Sequence, residues 1–586
     1  MSIPDSITSM IASRFPFTTS RAGQDEIIWE CMQAYAAGKR FAVLDVGTGG
    51  GKSVIGVTAA GVISDHLNNT AQSKLSEQIA SGIFSGQIPP THQPKSPTVL
   101  TKTRVLQHQY DDSFRNAPNL DVALLYGKKH YSDLPDPTPD SMTVHTCGKT
   151  CPGMSKVHEK GECPYELAKM QYLDHRTTGI CNNSMYLASD RFREGVNVLV
   201  VDECHNLVND LIDRSSFGIS SQRILNIMEE LGLPNQEYVR TCINYERTKF
   251  KDGRLVVQML VNHLDQLIGF TTAQLIPRIG EQIEVLQNAN PTMTARMKKM
   301  VSRLEGYLDY FKDLKYKKKM LLNSDPSEWV SWKEEHKHWG HVINFKPFEP
   351  LKWVVESLFE KNDFVIFMSA TPGLYPEFCR QMHLDVAHGM HVYAPTPFPI
   401  ENRQVQALNI AAMNYTNREE LLAADGAFTM TTKSLMSRHL GERGLIHSVS
   451  YANAEMLKES LGDAGKRLVI PERGVLINRE YIEKFPADTV FISPSIAEGV
   501  SFDDSLARFQ IILKIPFGSL GDIWIKSKLD KDREWYANEA ALVVQQMAGR
   551  ITRSPTDYGT TYILDSSFDR VKAFMPSWFL EALVEI

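Results

Sequence analysis

At 586 residues the chain is too long for a single hydrophobic core, so two to four domains are expected. Its 42% hydrophobic and 23% charged residues describe an ordinary globular protein. A net charge of -6 argues against indiscriminate coating of nucleic acid, while leaving room for a local basic channel.

The opening stretch MSIPDSITSM has neither the basic nor the apolar region of a signal peptide. No apolar run approaches the roughly 20 residues that cross a bilayer. A cytoplasmic protein with no membrane association is the expectation.

The first strand signal is FAVLDV at 41–46, apolar on nearly every residue, as in a parallel sheet buried on both faces. It runs into DVGTGGGKS at 45–53, ahead of a helix-like stretch. Gly47, Gly49, Gly50 and Gly51, with Thr48 among them, let the backbone turn tightly and aim N–H groups at phosphate oxygens. Lys52 would neutralise phosphate charge and the Ser53 hydroxyl would ligate Mg²⁺. The helix adds its positive N-terminal end. Val46 stands at the first motif position, where Gly or Ala is usual. A flexible glycine turn is the plainer alternative, but strand, loop, Lys-Ser and helix together point to bound nucleotide.

Segments 81–97 and 132–141, rich in Pro, Gly, Ser and Thr, read as loops. Between 145 and 169, Cys147-x3-Cys151-x11-Cys163 is a metal-site signal, because thiolates at such spacing hold zinc or an iron–sulfur cluster. The other cysteines, Cys31, Cys181, Cys204, Cys242 and Cys379, read as buried structural residues.

VLVVDECH at 198–205 ends a buried strand with two carboxylates. Asp202 can hold Mg²⁺ opposite Ser53, and Glu203 can orient or deprotonate the attacking water. Alone, such a string is equally an acidic helix cap. From about 216 to 345 the period is mostly helical, with a lysine-rich stretch at 295–319 that suits a solvated face or a nucleic-acid contact. Strand signals return in FVIFMSAT at 364–371 and TVFISPS at 489–495. Near the end, QQMAGRITRS at 545–554 places Gln546, Gly549, Arg550 and Arg553 on one helical face. An arginine there could stabilise charge on a transferring γ-phosphoryl group. Surface salt bridges are the alternative use of such a pair.

These segments, in this order, resemble the motifs of superfamily 2 helicases of the DEAH-like XPD/DinG branch. The phosphate loop and DECH resemble motifs I and II. FPFTTSRAGQDEII at 15–28 resembles the upstream adenine-side segment, with Arg21 and Gln24 in the matching places. VLTKTRVLQHQY at 99–110 resembles motif Ia, MSATP at 368–372 motif III, and GLIHSVSYANAEML at 444–457 motif IV. FISPSIAEGVSFDD at 491–504 resembles motif V, with Ser501 where Asp is frequent, and QQMAGRITRS resembles motif VI.

The resemblance implies an α/β fold of two RecA-like parallel-sheet lobes, with an inserted small metal-cluster domain and an inserted helical arch. On that reading the first lobe comprises 1–120, 181–215 and 346–372, the cluster-type insertion 121–180, the arch-like insertion 216–345, and the second lobe 373–586. It implies an ATP-dependent DNA helicase moving 5′→3′ on single-stranded DNA and at single-strand/duplex junctions, working as a monomer. A strand-clearing translocase and a nucleic-acid-binding scaffold are the rival functions.

The cofactors implied are ATP, Mg²⁺ and a [4Fe–4S] cluster in preference to zinc. CPYELAK resembles the sequence around the last cluster cysteine, whereas Asp133 fills the place of the first. Asp133, His145 and His158 are candidates for the fourth ligand, and Cys181 is a further sulfur donor, although its stretch GICNNSMYLAS resembles the strand before motif II and favours a structural cysteine. Lys102, Arg104, Ser493, Lys298, Lys299 and Lys317 to Lys319 are candidate strand contacts. Tyr131 and Tyr165 could stack on bases or pack the insertion.

Overall fold

The structure, a computed structural model, describes residues 3–47, 49–80, 94–127, 130–131, 164–188, 190–288, 295–394, 396, 398–473, 475, 477, 479–494, 502, 504–552 and 556–585. Its first sheet has seven strands in the order Gly389–Ala394, Phe41–Val46, Phe364–Ser369, Val196–Asp202, Ser96–Thr101, Thr178–Asn182, Val122–Leu124. Every pairing is parallel.

Side chains alternate between two separate cores along the central strands, as a strand's period of two demands. Phe41, Val43, Leu199, Val201, Val365 and Phe367 point into one core. Ala42, Leu44, Val198, Val200, Ile366 and Met368 point into the other, against the helices Gln24–Ala36 and Lys52–Ala80. Apolar residues at nearly every position are thus what a sheet covered on both faces needs.

The second sheet is also seven-stranded and parallel, in the order Leu468–Val469, Val490–Ser493, Gly444–His447, Phe509–Ile512, Thr560–Asp565, Val405–Ala411, Leu583–Glu585. Two α/β lobes are therefore present, as expected.

Two features correct the expected division of the chain. Strand Gly389–Ala394 pairs with Phe41–Val46, so the first sheet extends to 394 instead of 372. The region after Ser215 is also not purely helical. Phe217–Ile219, Gly340–Pro347, Trp329–His336 and Gly253–Leu255 form a four-stranded antiparallel sheet beside the helices between 221 and 322. The hairpin EEHKHWGH hides its strands in polar residues, because several of its side chains face solvent. After this region the chain returns through helix Lys352–Phe359 to strand Phe364–Ser369, which lies between Phe41–Val46 and Val196–Asp202.

The second lobe is docked on this insertion and on the first lobe. Trp524 Nε1 donates to Pro347 O at 2.9 Å, and Arg380 bonds Glu349, Glu377 and Asp532 together. No helix among the described residues is long and apolar enough to cross a membrane.

Candidate active site

Strand Phe41–Val46 delivers the glycine loop to the start of helix Lys52–Ala80. Gly51 has φ of +80°, a region open to glycine and strained for other residues. A Cβ on it would lie 2.1 Å from Gln24 Nε2, and one on Gly50 would lie 2.6 Å from Val46 Cγ1. The bare Gly50 is what accommodates Val46, whose side chain is buried beneath the loop. The motif's departure at this position is therefore absorbed by packing. Thr48 lies outside the described residues.

Arg21 and Gln24, the expected adenine-side pair, brace the loop. Arg21 Nη1 donates to Gly49 O at 3.1 Å and Gln24 Nε2 to Gly50 O at 3.3 Å, while Gln24 Oε1 accepts from Arg21 N at 2.9 Å.

Asp202 closes strand Val196–Asp202 and is buried. Its Oδ2 accepts from the Tyr110 hydroxyl at 3.0 Å and its Oδ1 from Glu203 N at 2.9 Å. The Tyr110 hydroxyl also interacts with Ser53, so one buried phenol joins both oxygen donors expected at the cation. Glu203 takes the left-handed conformation (φ 50°, ψ 51°), which costs a non-glycine residue about 1–2 kcal/mol and turns its carboxylate off the strand axis. Glu203 Oε2 accepts from Ser369 Oγ at 3.3 Å and lies 3.4 Å from His205 Nδ1.

The two carboxyls are driven apart electrostatically. Burial and the Glu203 charge push Asp202 above the usual carboxylate range, against the pull of Lys52. Burial also raises Glu203, but Lys52, His205, Arg550 and Ser369 outweigh it and hold that carboxyl below its ordinary value. Buried hard-oxygen donors beside one lysine fit a divalent cation of the Mg²⁺ type, which would relieve the charge that burial leaves uncompensated.

Two cavities meet at this point. One, of about 500 Å³, runs from Phe17, Arg21 and Gln24 past Lys52 and Ser53 to Asp202 and Glu203. The other, of about 540 Å³, lies between the lobes. There Lys52 and Glu203 face Gln546, Gly549 and Arg550 of the second lobe. Helix Arg533–Ala548 is capped by Gly549, so Gln546 lies on its last turn and Arg550 in the turn just beyond it, which corrects the expected single helical face. Arg553, expected as the finger, lies outside the described residues.

The candidate strand contacts divide. Lys102 and Arg104 are exposed, as are Lys299 and Lys319. Ser493 is buried at the end of its strand, which leaves its side chain almost no surface for a contact. Lys317 donates to Ser216 O at 2.8 Å and pairs with Asp313, and Lys318 pairs with Asp265, so both hold the insertion together. Nothing is described of the Lys298 side chain. Tyr165 is buried and meets Tyr131 edge-on at 5.5 Å, which is packing and not a free stacking face.

Cys147, Cys151, Cys163, Asp133, His145 and His158 lie outside the described residues. The Tyr131–Tyr165 contact brings the residues bordering that segment side by side. Cys31, Cys181, Cys204, Cys242 and Cys379 are buried free thiols, and burial raises Cys181 to about 12. Among the described residues no group of His, Cys, Asp and Glu is placed to hold a metal through three such ligands.

Sequence reading missed Tyr110, His205, Asn206 and Ser369. The signal for Tyr110 was a buried stripe, Gln107, Tyr110 and Phe114, in which a phenol must find a partner. His205 closes the DECH string and Ser369 lies within MSATP, but neither string assigns them a partner, and Asn206 bears no signature of its own.

Comparison with known proteins places the geometry in context. Residues 435–582 match the helicase C-terminal domain family. Over 390 residues the chain is 23% identical to a regulator of telomere elongation helicase 1 homolog of Culex quinquefasciatus, covering 58% of this chain and 39% of the relative. Over 485 residues it is 19% identical to the ATP-dependent DNA helicase CHL1 of Eremothecium gossypii, covering 71% and 59%. The chain thus spans less than two thirds of the length of these relatives. An XPD helicase structure superposes with a TM-score of 0.54 at 13% identity, covering 97% of this chain and 100% of that one. The S. tokodaii Xpd4 structure gives 0.53 at 14%, with the same coverage. These structures share the fold.

Proposed function

We propose that the chain, similar in its C-terminal domain and fold to XPD/DinG-like superfamily 2 helicases, is an ATP-dependent DNA helicase. It translocates 5′→3′ on single-stranded DNA and hydrolyses ATP between its lobes. The observation that carries this reading is the meeting of Lys52 and Glu203 with Gln546 and Arg550 across one cleft. A site split between lobes changes when the lobes move, which is what coupling hydrolysis to movement requires.

In this reading the loop amides and Lys52 bind the phosphates, with Arg21 and Gln24 on the adenine side. Glu203 orients the attacking water and takes its proton. Arg550 and Arg553 stabilise charge on the transferring group, and Gln546 helps position it. Mg²⁺, held by Ser53 and Asp202, would supply charge neutralisation on the phosphate oxygens.

The proposal extends to a [4Fe–4S] cluster on Cys147, Cys151 and Cys163, with Asp133 or His145 as fourth ligand, in preference to zinc. Cysteine spacing and family resemblance support it. Protein purified anaerobically without iron, sulfide or broad absorbance near about 400 nm would remove that part. The expected setting is a monomer in the cytoplasm acting on single strands and junctions.

Strand displacement from 5′- and 3′-tailed duplexes tests the function. Unwinding of the 5′-tailed substrate supports it. Unwinding only from a 3′ tail overturns the direction, and ATP hydrolysis without displacement from either leaves a strand-clearing translocase.

A further inference from the structure

Behind Glu203 runs a chain of four polar side chains that ends on the exposed Lys102. Lys102 Nζ lies 2.8 Å from Asn206 Oδ1. An ammonium only donates, so the amide atom facing it must be the carbonyl oxygen. Asn206 Nδ2 is then the atom 2.8 Å from His205 Nε2, and it donates there. Nε2 is therefore the unprotonated ring nitrogen, and the proton sits on Nδ1. Nδ1–H reaches Ser369 Oγ at 2.8 Å, and the same oxygen accepts from Thr371 N at 3.0 Å. With its acceptor positions used, the Ser369 hydroxyl hydrogen is directed at Glu203 Oε2, 3.3 Å away. Every donor in the series points toward Glu203.

We propose that Lys102 and Asn206 set the tautomer of His205, and through Ser369 the orientation of the Glu203 carboxylate, so that strand contact at Lys102 is felt at Glu203. Asn206 is a positioning residue, since it touches no reacting atom. The inference deepens the motor reading and rests on it. Lys102 sits between strand Ser96–Thr101 and helix Arg104–Phe114, in the segment expected to touch the nucleic-acid backbone. Its ammonium has three N–H donors, so it can hold Asn206 and a phosphate together. A bound phosphate fixes the lysine and with it the series.

Asn206→Asp isolates direction from packing. The carboxylate keeps the volume and still accepts from Lys102, but it has no hydrogen to give His205. Nε2 must then carry the proton, Nδ1 becomes the acceptor for the Ser369 hydroxyl, and Glu203 loses its donor. Imidazole nitrogen shifts, read on histidine-labelled protein at a pH where the ring is neutral and assigned by loss in His205→Gln, should show Nδ1–H in the parent and Nε2–H in Asn206→Asp.

At saturating single-stranded DNA the variant should lose about tenfold in kcat, the scale of removing an outer-shell partner. Its KM for ATP should stay within about twofold. Lys102→Met should lose strand stimulation, and the double variant should fall no further than Asn206→Asp alone. An Nε2–H tautomer in the parent, an unchanged kcat in Asn206→Asp, or multiplying losses in the double variant would overturn the relay. Should the parent show no strand-stimulated ATPase, the motor reading fails and the tautomer pair alone decides the relay.

Discussion

Tyr110→Phe removes one oxygen from the buried centre of the site and leaves the ring in place. The hydroxyl donates to Asp202 Oδ2 at 3.0 Å and touches Ser53, on a side chain that is 2% exposed. A hydrogen bond to an ionised acceptor contributes about 1.5–3 kcal/mol, which corresponds to roughly tenfold to a hundredfold in an equilibrium. That bond favours the charged carboxylate, so its loss raises an Asp202 carboxyl already lifted by burial and by Glu203. At about 1.4 kcal/mol per pH unit, the acid limb of the ATPase profile should move up by about one to two units. Mg²⁺ half-saturation near neutral pH should rise about tenfold or more and recover toward the parent value as pH increases. The assay is steady-state ATP hydrolysis over a grid of Mg²⁺ and pH, with circular dichroism to confirm folding. A variant with the parent's Mg²⁺ dependence and acid limb would refute the role given to Tyr110.

Gly51→Ala should weaken ATP binding at least about tenfold by calorimetry. It combines a left-handed φ, worth about 1–2 kcal/mol, with displacement of Gln24 and the bonds that brace the loop. Gly38→Ala, with φ of +74° and nothing near its Cβ, carries the backbone cost without the clash and should leave ATP binding unchanged. His447 is buried against Gln510, and burial lowers its pKa from 6.5 to about 4. The unfolded chain then binds more protons than the folded one between about pH 4 and 6.5, so this stability is present above 6.5 and is lost as pH falls through that window. His447→Asn should flatten the fall in melting temperature between pH 7 and 5, by about 2 kcal/mol of pH-dependent stability.

The two lobes were legible because their central strands are apolar at nearly every position, the pattern of a sheet covered on both faces. The loop and the carboxylates were legible because phosphate chemistry fixes residue type at close sequence spacing. The antiparallel sheet between 217 and 347 was not, since its hairpin carries Glu and His toward solvent and its two short outer strands pair across long intervals. Gly389–Ala394 was missed for a related reason. GMHVYA is short and mixed, and only pairing with Phe41–Val46 makes it part of the first sheet. Tyr110 and Asn206 act through hydrogen bonds to residues 92 and 104 positions away, and no local pattern announces such partners.

The most direct test of the motor is ATP turnover by the full chain with and without single-stranded DNA, for the parent and for Arg553→Ala. Strand stimulation in the parent, together with loss of turnover in Arg553→Ala that leaves ATP binding largely intact, is the expected result. ATP hydrolysis indifferent to the strand would contradict the account.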